Sequence, residues 1–403
     1  MNDFCVDIYY WFDKSTKRKQ SLSDFCSFCD TAYAGMIKHV STRWLSLESA
    51  VTRILQKYAG LKSYFLSSDE SSARFKRLQQ QFEDPLTEVH LFFYQAVLQQ
   101  FVHANKFMQL ENPLIPIVYD VLHDFLTKLC CRFLSVSKVK QIGAEKIDWE
   151  DEETKKCDKQ LDIGFTTKSV LAKLIDEGHD PRKIQQFYRG VRSFYEKACS
   201  YARKNLPLTD PLLKNARFLN FTRRELADLS EVEYFIERFS LLFPFGSDPA
   251  KMDHLRDEFT SYQLLQKSDV PSDIWEKATI YPEPEHSSSK SSLYAMDTIW
   301  AYLATMSNVD GSKRFALLTQ VAHLVLTIPH SNAAEERVFS IIRKNKTPFR
   351  PNLDSEQTLG SIMTTKMALS KDVPSYKFEP PKDLLVAAKK ATREYNLGHS
   401  SKS

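Results

Sequence analysis

The alternation of hydrophobic and polar positions predicts a chain built mostly of amphipathic helices. Apolar residues recur at helical spacing along most of the sequence, and prolines interrupt the pattern at intervals. Ser41 or Thr42 can cap the helix whose apolar stripe is the most regular. This stripe consists of Trp44, Leu47, Val51, Ile54, Tyr58 and Leu61. We therefore expect a helix over this segment, with one face buried.

Similar patterns cover much of the remaining chain. Two long apolar-rich helices are predicted within 85–136, separated near Pro113, and an acidic loop is predicted at 148–153. Val6–Phe12 fits a strand or a helix, because periodicity does not separate the two in so short a run. Further helices are predicted at 166–176, 181–204, 222–242, 251–267, 293–306, 313–327, 332–345, 354–369 and 382–394.

Composition agrees with a helical protein. The chain has only 10 glycines, whereas an average protein of this length has roughly 7%, or about 28. Few tight turns and no glycine-rich phosphate loop are therefore expected. The net charge of +4 permits nucleic-acid binding without favouring it. Apolar runs are too short for a membrane span, and no secretory signal is recognisable at the N-terminus. Seven cysteines without a framework spacing indicate a reducing compartment.

The segment 328–353 contains the most distinctive motif. Pro329 ends the preceding helix, and Asn332 with Glu335 has the spacing of a capping box. The helix predicted next has one apolar face, formed by Ala334, Val338, Ile341 and Ile342. A basic cluster extends along and beyond this helix, at Arg337, Arg343, Lys344, Lys346 and Arg350.

The residues His330–Ser340, together with Met36–Trp44, resemble two motifs of the hAT superfamily of DNA transposases. The first motif opens the C-terminal dimerisation region of that family. The second is its Arg-Trp block, where a helical insertion interrupts an RNase H-like domain. The resemblance implies a mainly α fold, with at most two or three short strands near 4–12 and 34–40. The implied domains are a truncated RNase H-like remnant at 1–66, a helical insertion at 67–280, a Pro- and Ser-rich linker at 281–295, a dimerisation module at 296–370 and a tail with a short helix at 371–403.

The resemblance also suggests which residues carry chemistry. Glu336 matches the last member of the family's Asp-Asp-Glu triad, and Arg43 and Trp44 match residues placed near the DNA end. Strand cleavage needs two divalent ions held by three carboxylates. The segment before Arg43 is too short for the two strands that carry the family's aspartates, so we expect an inactive protein, with no metal and no cofactor. Glu336 is then a first-turn residue that favours the helix dipole.

Other sites are less well supported by the sequence. Cys26 and Cys29 have the spacing of half a zinc site, but a second Cys or His pair is missing, so packing is the better interpretation. The pair Cys130 and Cys131 lies in an apolar helical run and is also interpreted as structural. Hydrolase motifs such as Gly-x-Ser-x-Gly and His-Glu-x-x-His do not occur.

These observations favour an interaction protein that self-associates through its C-terminal module, as a homodimer or with related hAT-derived proteins. The predicted dimerisation residues are Val338, Phe339, Ile342, Leu359 and Ile362. Phe315, Leu318, Val321 and Val325 contribute to an apolar surface that one short module cannot hide alone. Two alternatives stay open: part of an active transposase whose N-terminal half lies outside this chain, and a non-specific nucleic-acid binder that uses 14–19 and 337–346. We expect weak DNA binding, a nuclear or otherwise cytoplasmic location, no membrane and no small-molecule substrate.

Overall fold

The computed structural model describes residues 1–40, 44–280, 293–350, 353–354, 358–368, 377 and 379–400. These residues form two compact units, Met1–Ser331 and Asn332–Ser403. Mainly α structure, as predicted, is confirmed in both units. In the described ranges, no helix is both long enough and apolar enough to cross a bilayer.

The first unit contains sixteen α-helices among its described residues. They are α1 Asn2–Phe12, α2 Thr16–Phe28, α3 Trp44–Gln56, α4 Tyr58–Ser67, α5 Ala73–Glu83, α6 Leu86–Met108, α7 Ile115–Cys131, α8 Val136–Ile142, α9 Phe165–Asp176, α10 Pro181–Asn205, α11 Pro211–Asn215, α12 Leu229–Arg238, α13 Pro249–Leu264, α14 Ser272–Ala278, α15 Met296–Leu303 and α16 Ala316–Leu326. Short 3-10 turns lie at Glu152–Thr154, Asp158–Gln160, Ala216–Leu219, Phe221–Leu226, Pro244–Ser247 and Lys267–Asp269.

The N-terminal helices α1 to α5 pack around a cluster of aromatic side chains. Trp11 of α1 contacts the rings of Phe65 and Phe75, and its indole N–H donates to the Tyr64 hydroxyl at 3.2 Å. The strand predicted near 4–12 is wrong, because this segment is helix α1. Its buried residues have helical spacing and meet α2, α3 and α5 on one face. They are Phe4, Cys5, Ile8, Trp11 and Phe12.

The second predicted strand, near 34–40, is also wrong. Residues 31–40 have no regular secondary structure, and side chains of α3 hold the segment instead. Arg53 donates to the Gly35 carbonyl at 2.7 Å, and the Ser46 hydroxyl lies 2.8 Å from Nδ1 of the buried His39. The RNase H-like part of the fold prediction therefore has no support in these residues.

The predicted helices of the middle of the chain are largely present. α6 and α7 lie on either side of the predicted break at Pro113, and α10 packs against both. The single helix expected over 222–242 is instead a 3-10 turn followed by α12. Asp228 separates them, because its carboxylate accepts from the Ser230 N–H at 2.9 Å and caps the new helix.

The chain on either side of the predicted linker belongs to the first unit. Residues 281–292 lie outside the described part, but the residues on either side pair as an antiparallel hairpin, β1 Thr279–Ile280 with β2 Leu293–Tyr294. After it, α15 and α16 pack on α12, α13 and α14 and complete the core of the first unit. The division between the two compact units falls after Ser331, within the segment 296–370.

The second unit contains three helices among its described residues. They are α17 Ala333–Asn345, α18 Thr358–Ala368 and α19 Lys382–Ser400. α17 and α18 pack against each other, and Lys366 of α18 donates to the Asn345 side chain at 2.9 Å.

Candidate self-association surface

The apolar residues of α16 belong to the core of the first unit. Phe315, Leu318, Val321 and Val325 were expected to need cover from outside the short C-terminal module, and each is almost completely buried within this chain. The buried carboxylate of Glu258 on α13 holds the start of α16 by accepting the N–H groups of Leu317 and Leu318. Helices α12 and α13, which cover α16, lie outside the predicted module, so these four residues need no second chain to bury them.

Two side chains anchor the chain just before the end of the first unit. The Ser331 hydroxyl donates to the Met108 carbonyl at 2.6 Å, and His330 hydrogen-bonds to the same carbonyl group. Burial lowers the pKa of His330, and the bond to Met108 opposes this effect. Sequence reasoning missed this anchor, because a carbonyl acceptor more than two hundred positions away leaves no signal in the sequence.

Asn332 is the residue that precedes α17, but it does not form the predicted capping box. Asn332 accepts the Glu336 N–H through its backbone carbonyl at 3.0 Å, and its side chain makes no capping hydrogen bond. Its backbone lies at φ −88° and ψ 14°, whereas a capping side chain usually requires an extended residue at this position. The first turn of α17 is instead stabilised by the acidic Glu335 and Glu336, which favour the positive end of the helix dipole.

α17 presents an apolar face that the described residues cover only in part. Not one residue of this helix is buried. Val338, Ile341 and Ile342 are half-buried, whereas the ring of Phe339 is 60% exposed. These four side chains are neighbours on a helix of 13 residues, and clustered apolar residues at a surface are typical of interaction sites.

α18 divides the remaining predicted dimerisation residues. Leu359, one of the predicted dimerisation residues, and Met363 are buried. Ile362 is half-buried, and Met367 is 62% exposed. We call Val338, Phe339, Ile341, Ile342, Ile362 and Met367 the α17–α18 surface. It is the strongest candidate for self-association in the second unit.

The residues predicted from the catalytic motifs are not brought together. Glu336 lies exposed on the first turn of α17. Arg43 lies outside the described residues, and Trp44 is the first residue of α3. Across the described ranges, no three His, Cys, Asp or Glu side chains are grouped so that they could hold a metal ion. Cys26, the candidate zinc ligand, is buried where α2 packs on α4.

Comparison with known families gives one match. Residues 307–368 match the family model of the hAT family C-terminal dimerisation region. This segment contains α16, α17 and α18, and therefore all residues of the α17–α18 surface. No curated protein and no solved structure matches the chain. The match supports self-association as the role of this region, and it defines a hAT-like dimerisation region within the chain.

Proposed function

We propose that this protein is a transposase-derived interaction protein that self-associates through the α17–α18 surface. One observation carries the proposal: apolar side chains stay exposed within the segment that matches a dimerisation region. Helices of 13 and 11 residues are marginal in water unless their apolar faces are covered. A second copy of the chain offers the same apolar face and can cover both at once.

The charges on α17 suggest how two copies would meet. Glu335 and Glu336 occupy its first turn, and Arg343 and Lys344 its last turn. An antiparallel pair of α17 helices, related by a two-fold axis, places the acidic turn of each beside the basic turn of the other. A parallel pair places like charges together, which is unfavourable. The proposed dimer is therefore isologous and antiparallel along α17.

Sedimentation equilibrium of the full chain tests the proposal, with Phe339→Asp as the main variant. Because Phe339 is already exposed in one copy, this change should leave the fold of the monomer intact. In a dimer the new carboxylate is buried, at a cost on the order of 2–4 kcal/mol. Since about 1.4 kcal/mol corresponds to a factor of ten, the dissociation constant should rise by at least about tenfold. Ile342→Asp should weaken association in the same direction.

Ser340→Asp is the matched control, since Ser340 is exposed on the same helix but points away from the stripe of Val338 and Ile342. It adds the same charge and should leave the association constant unchanged within about threefold. Circular dichroism confirms that each variant is folded. A wild-type protein that is a folded monomer at micromolar concentration, or equal weakening by Phe339→Asp and Ser340→Asp, contradicts the proposal.

We also propose that the protein does not cut or join DNA. The support is that Glu336 is exposed on α17, with no grouped carboxylates around it in the described part of the chain. Incubation of the wild type with supercoiled DNA and magnesium or manganese ions should give no nicked product above a protein-free control. Metal-dependent nicking that disappears in Glu336→Gln would overturn this part of the proposal.

A second candidate function is non-specific nucleic-acid binding. A protein with this function would be located in the nucleus. It rests on the exposed cations of α17 and the residues after it, among them Arg343, Lys344, Lys346 and Arg350. Cations at the end of a helix also favour its dipole, so the cluster has a structural explanation as well. Binding of a labelled duplex that falls steeply with salt, and is weakened when Lys344 and Lys346 become alanine, would favour this function.

The family resemblance also includes a second region of the chain. It concerns the Arg-Trp block at Met36–Trp44 and the assignment of 67–280 to a helical insertion. Arg43→Ala combined with Trp44→Ala should leave self-association unchanged, because the proposed interface lies on α17 and α18. Loss of any DNA binding in the same double variant would give the block a role in nucleic-acid contact.

A further inference from the structure

Two buried cysteines face each other where α7 packs on α10. The Sγ atoms of Cys130 and Cys199 lie 3.7 Å apart, and both residues are completely shielded from solvent. They are 69 positions apart in the sequence. Both are free thiols, and the proposed self-association leaves them unused.

The surroundings of the two thiols are unequal. The hydrogen bond between the two sulfurs lowers the pKa of Cys130; burial opposes this effect, and the positive charge of Arg203 adds to it. The same hydrogen bond, followed by burial, raises the pKa of Cys199. Arg203 lies one turn after Cys199 on α10, where it donates to the carbonyls of Ala144 and Ile147. Cys130 is therefore the sulfur that becomes a thiolate first, and the thiolate is the reactive form.

Two other cysteines of the same region have different surroundings. Burial raises the pKa of Cys131, the adjacent residue on α7. Cys157 is exposed at a 3-10 turn. The arrangement therefore combines one favoured nucleophile, Cys130, with one sulfur in contact with it, Cys199.

We propose that Cys130 and Cys199 form a reversible redox pair that closes a disulfide between α7 and α10 when the protein meets a peroxide. The Cys130 thiolate attacks hydrogen peroxide, the O–O bond breaks, and the products are the Cys130 sulfenic acid and hydroxide. The Cys199 sulfur then attacks the Cys130 sulfur, the S–O bond breaks, and the oxygen leaves as water with the Cys199 proton. Two thiols are oxidised and one peroxide is reduced to two waters, counting the proton that Cys130 had given up.

The geometry requires only a small movement. A disulfide has an S–S distance of about 2.05 Å, so the sulfurs must approach by less than 2 Å, which side-chain rotation and a slight shift of the helices can supply. Once formed, the bond closes a loop that contains α8 and α9. Long closed loops restrict the unfolded chain most, so the oxidised protein should resist unfolding better than the reduced one.

The test uses the full wild-type chain, treated with hydrogen peroxide under native conditions, alkylated and digested without reductant. Mass spectrometry should find the α7 peptide joined to the α10 peptide through Cys130 and Cys199, and dithiothreitol should separate them. The midpoint of thermal unfolding should rise by about 5 °C or more on oxidation. Cys157→Ser is the matched control and should form the same cross-link.

Cys199→Ser provides a second readout, because it keeps Cys130 and removes the sulfur that resolves it. In this variant dimedone should trap a sulfenic acid at Cys130, and no cross-link should form. If Cys199→Ser does not fold, the peptide map of the wild type still decides. The proposal is overturned if peroxide oxidises other cysteines while Cys130 and Cys199 are recovered as alkylated thiols, or if Cys130 pairs with Cys131 or Cys157 instead.

Discussion

Replacing Glu258 by alanine should loosen α16 from the rest of the first unit. The Glu258 side chain, on α13, is 1% exposed. Its carboxylate accepts hydrogen bonds from backbone N–H groups at the start of α16. One carboxylate oxygen accepts from the Leu317 N–H at 3.0 Å and from the Leu318 N–H at 2.8 Å, and the other lies 3.1 Å from Leu317. Nε2 of His254, one turn earlier on α13, lies 3.7 Å from this carboxylate.

The magnitude follows from what the substitution leaves behind. Hydrogen bonds to a charged group contribute about 1.5–3 kcal/mol each, and a carboxylate at a helix N-terminus adds up to about 2 kcal/mol in a buried site. Removing the buried charge also relieves its desolvation cost, which offsets part of this sum. We expect Glu258→Ala to lower the free energy of unfolding by about 3 kcal/mol, with two N–H groups left without their acceptor. Glu258→Gln keeps one acceptor oxygen and should cost about half as much.

Urea unfolding followed by circular dichroism measures the loss, and amide hydrogen exchange locates it. In Glu258→Ala, exchange should accelerate in α16, and most at Leu317 and Leu318. Glu237→Ala is the control, because Glu237 is an exposed residue of α12 and its loss should cost less than about 0.5 kcal/mol. If Glu258→Ala is as stable as Glu237→Ala and exchange in α16 is unchanged, the reasoning about this carboxylate is refuted.

Two further predictions concern packing and pH. A Cβ atom at Gly60 would lie 2.8 Å from the Cys26 sulfur and 3.0 Å from its Cα atom, so Gly60→Ala should destabilise the protein by about 1–3 kcal/mol. At Gly190 in α10 no atom beyond the adjacent residues and the helix's own backbone lies within 4 Å of such a Cβ, so Gly190→Ala should be neutral or stabilising by up to about 1 kcal/mol. Equal urea midpoints for the two variants would contradict this. Burial lowers the pKa of His90, although its Nδ1–H donates to the Leu86 carbonyl at 2.7 Å. The unfolded chain therefore binds this proton at higher pH than the native one, and the stability His90 contributes is lost as pH falls below about 6.5. The stability of His90→Phe should fall less steeply between pH 7 and 5, and an unchanged slope would show that His90 is not involved.

Elements with a long apolar period could be predicted from the sequence, because each is decided by its own residues. The breaks at Pro113 and Pro181 and the extents of α6, α7 and α10 agree with the pattern, since proline and the apolar period act over a few positions. The segment around Val6 was ambiguous because its apolar run is too short for the period to separate a strand from a helix. Its short apolar run gained a helical conformation from α2, α3 and α5, which cover one face of α1.

The candidate surface was predictable only in part. The apolar stripe of α17 could be seen in Val338 and Ile342, and the match over residues 307–368 includes it. The sequence did not separate Phe339, which stays exposed, from Leu359, which is buried. Burial depends on which helix packs against which face, and this is a property of the assembled unit.

The sequence by itself determined a helical chain with a C-terminal apolar segment typical of self-association, because hydrophobic period and helix-breaking residues are local properties. Only the tertiary structure decided where the compact unit ends. α16 joins the first unit because the carboxylate of Glu258 satisfies its first N–H groups and the core buries Phe315 and Val321. It also brought Cys130 and Cys199 into contact, across 69 positions of sequence. Such pairings arise because the folded chain must bury apolar surface and satisfy polar groups simultaneously, and no local pattern encodes the partner.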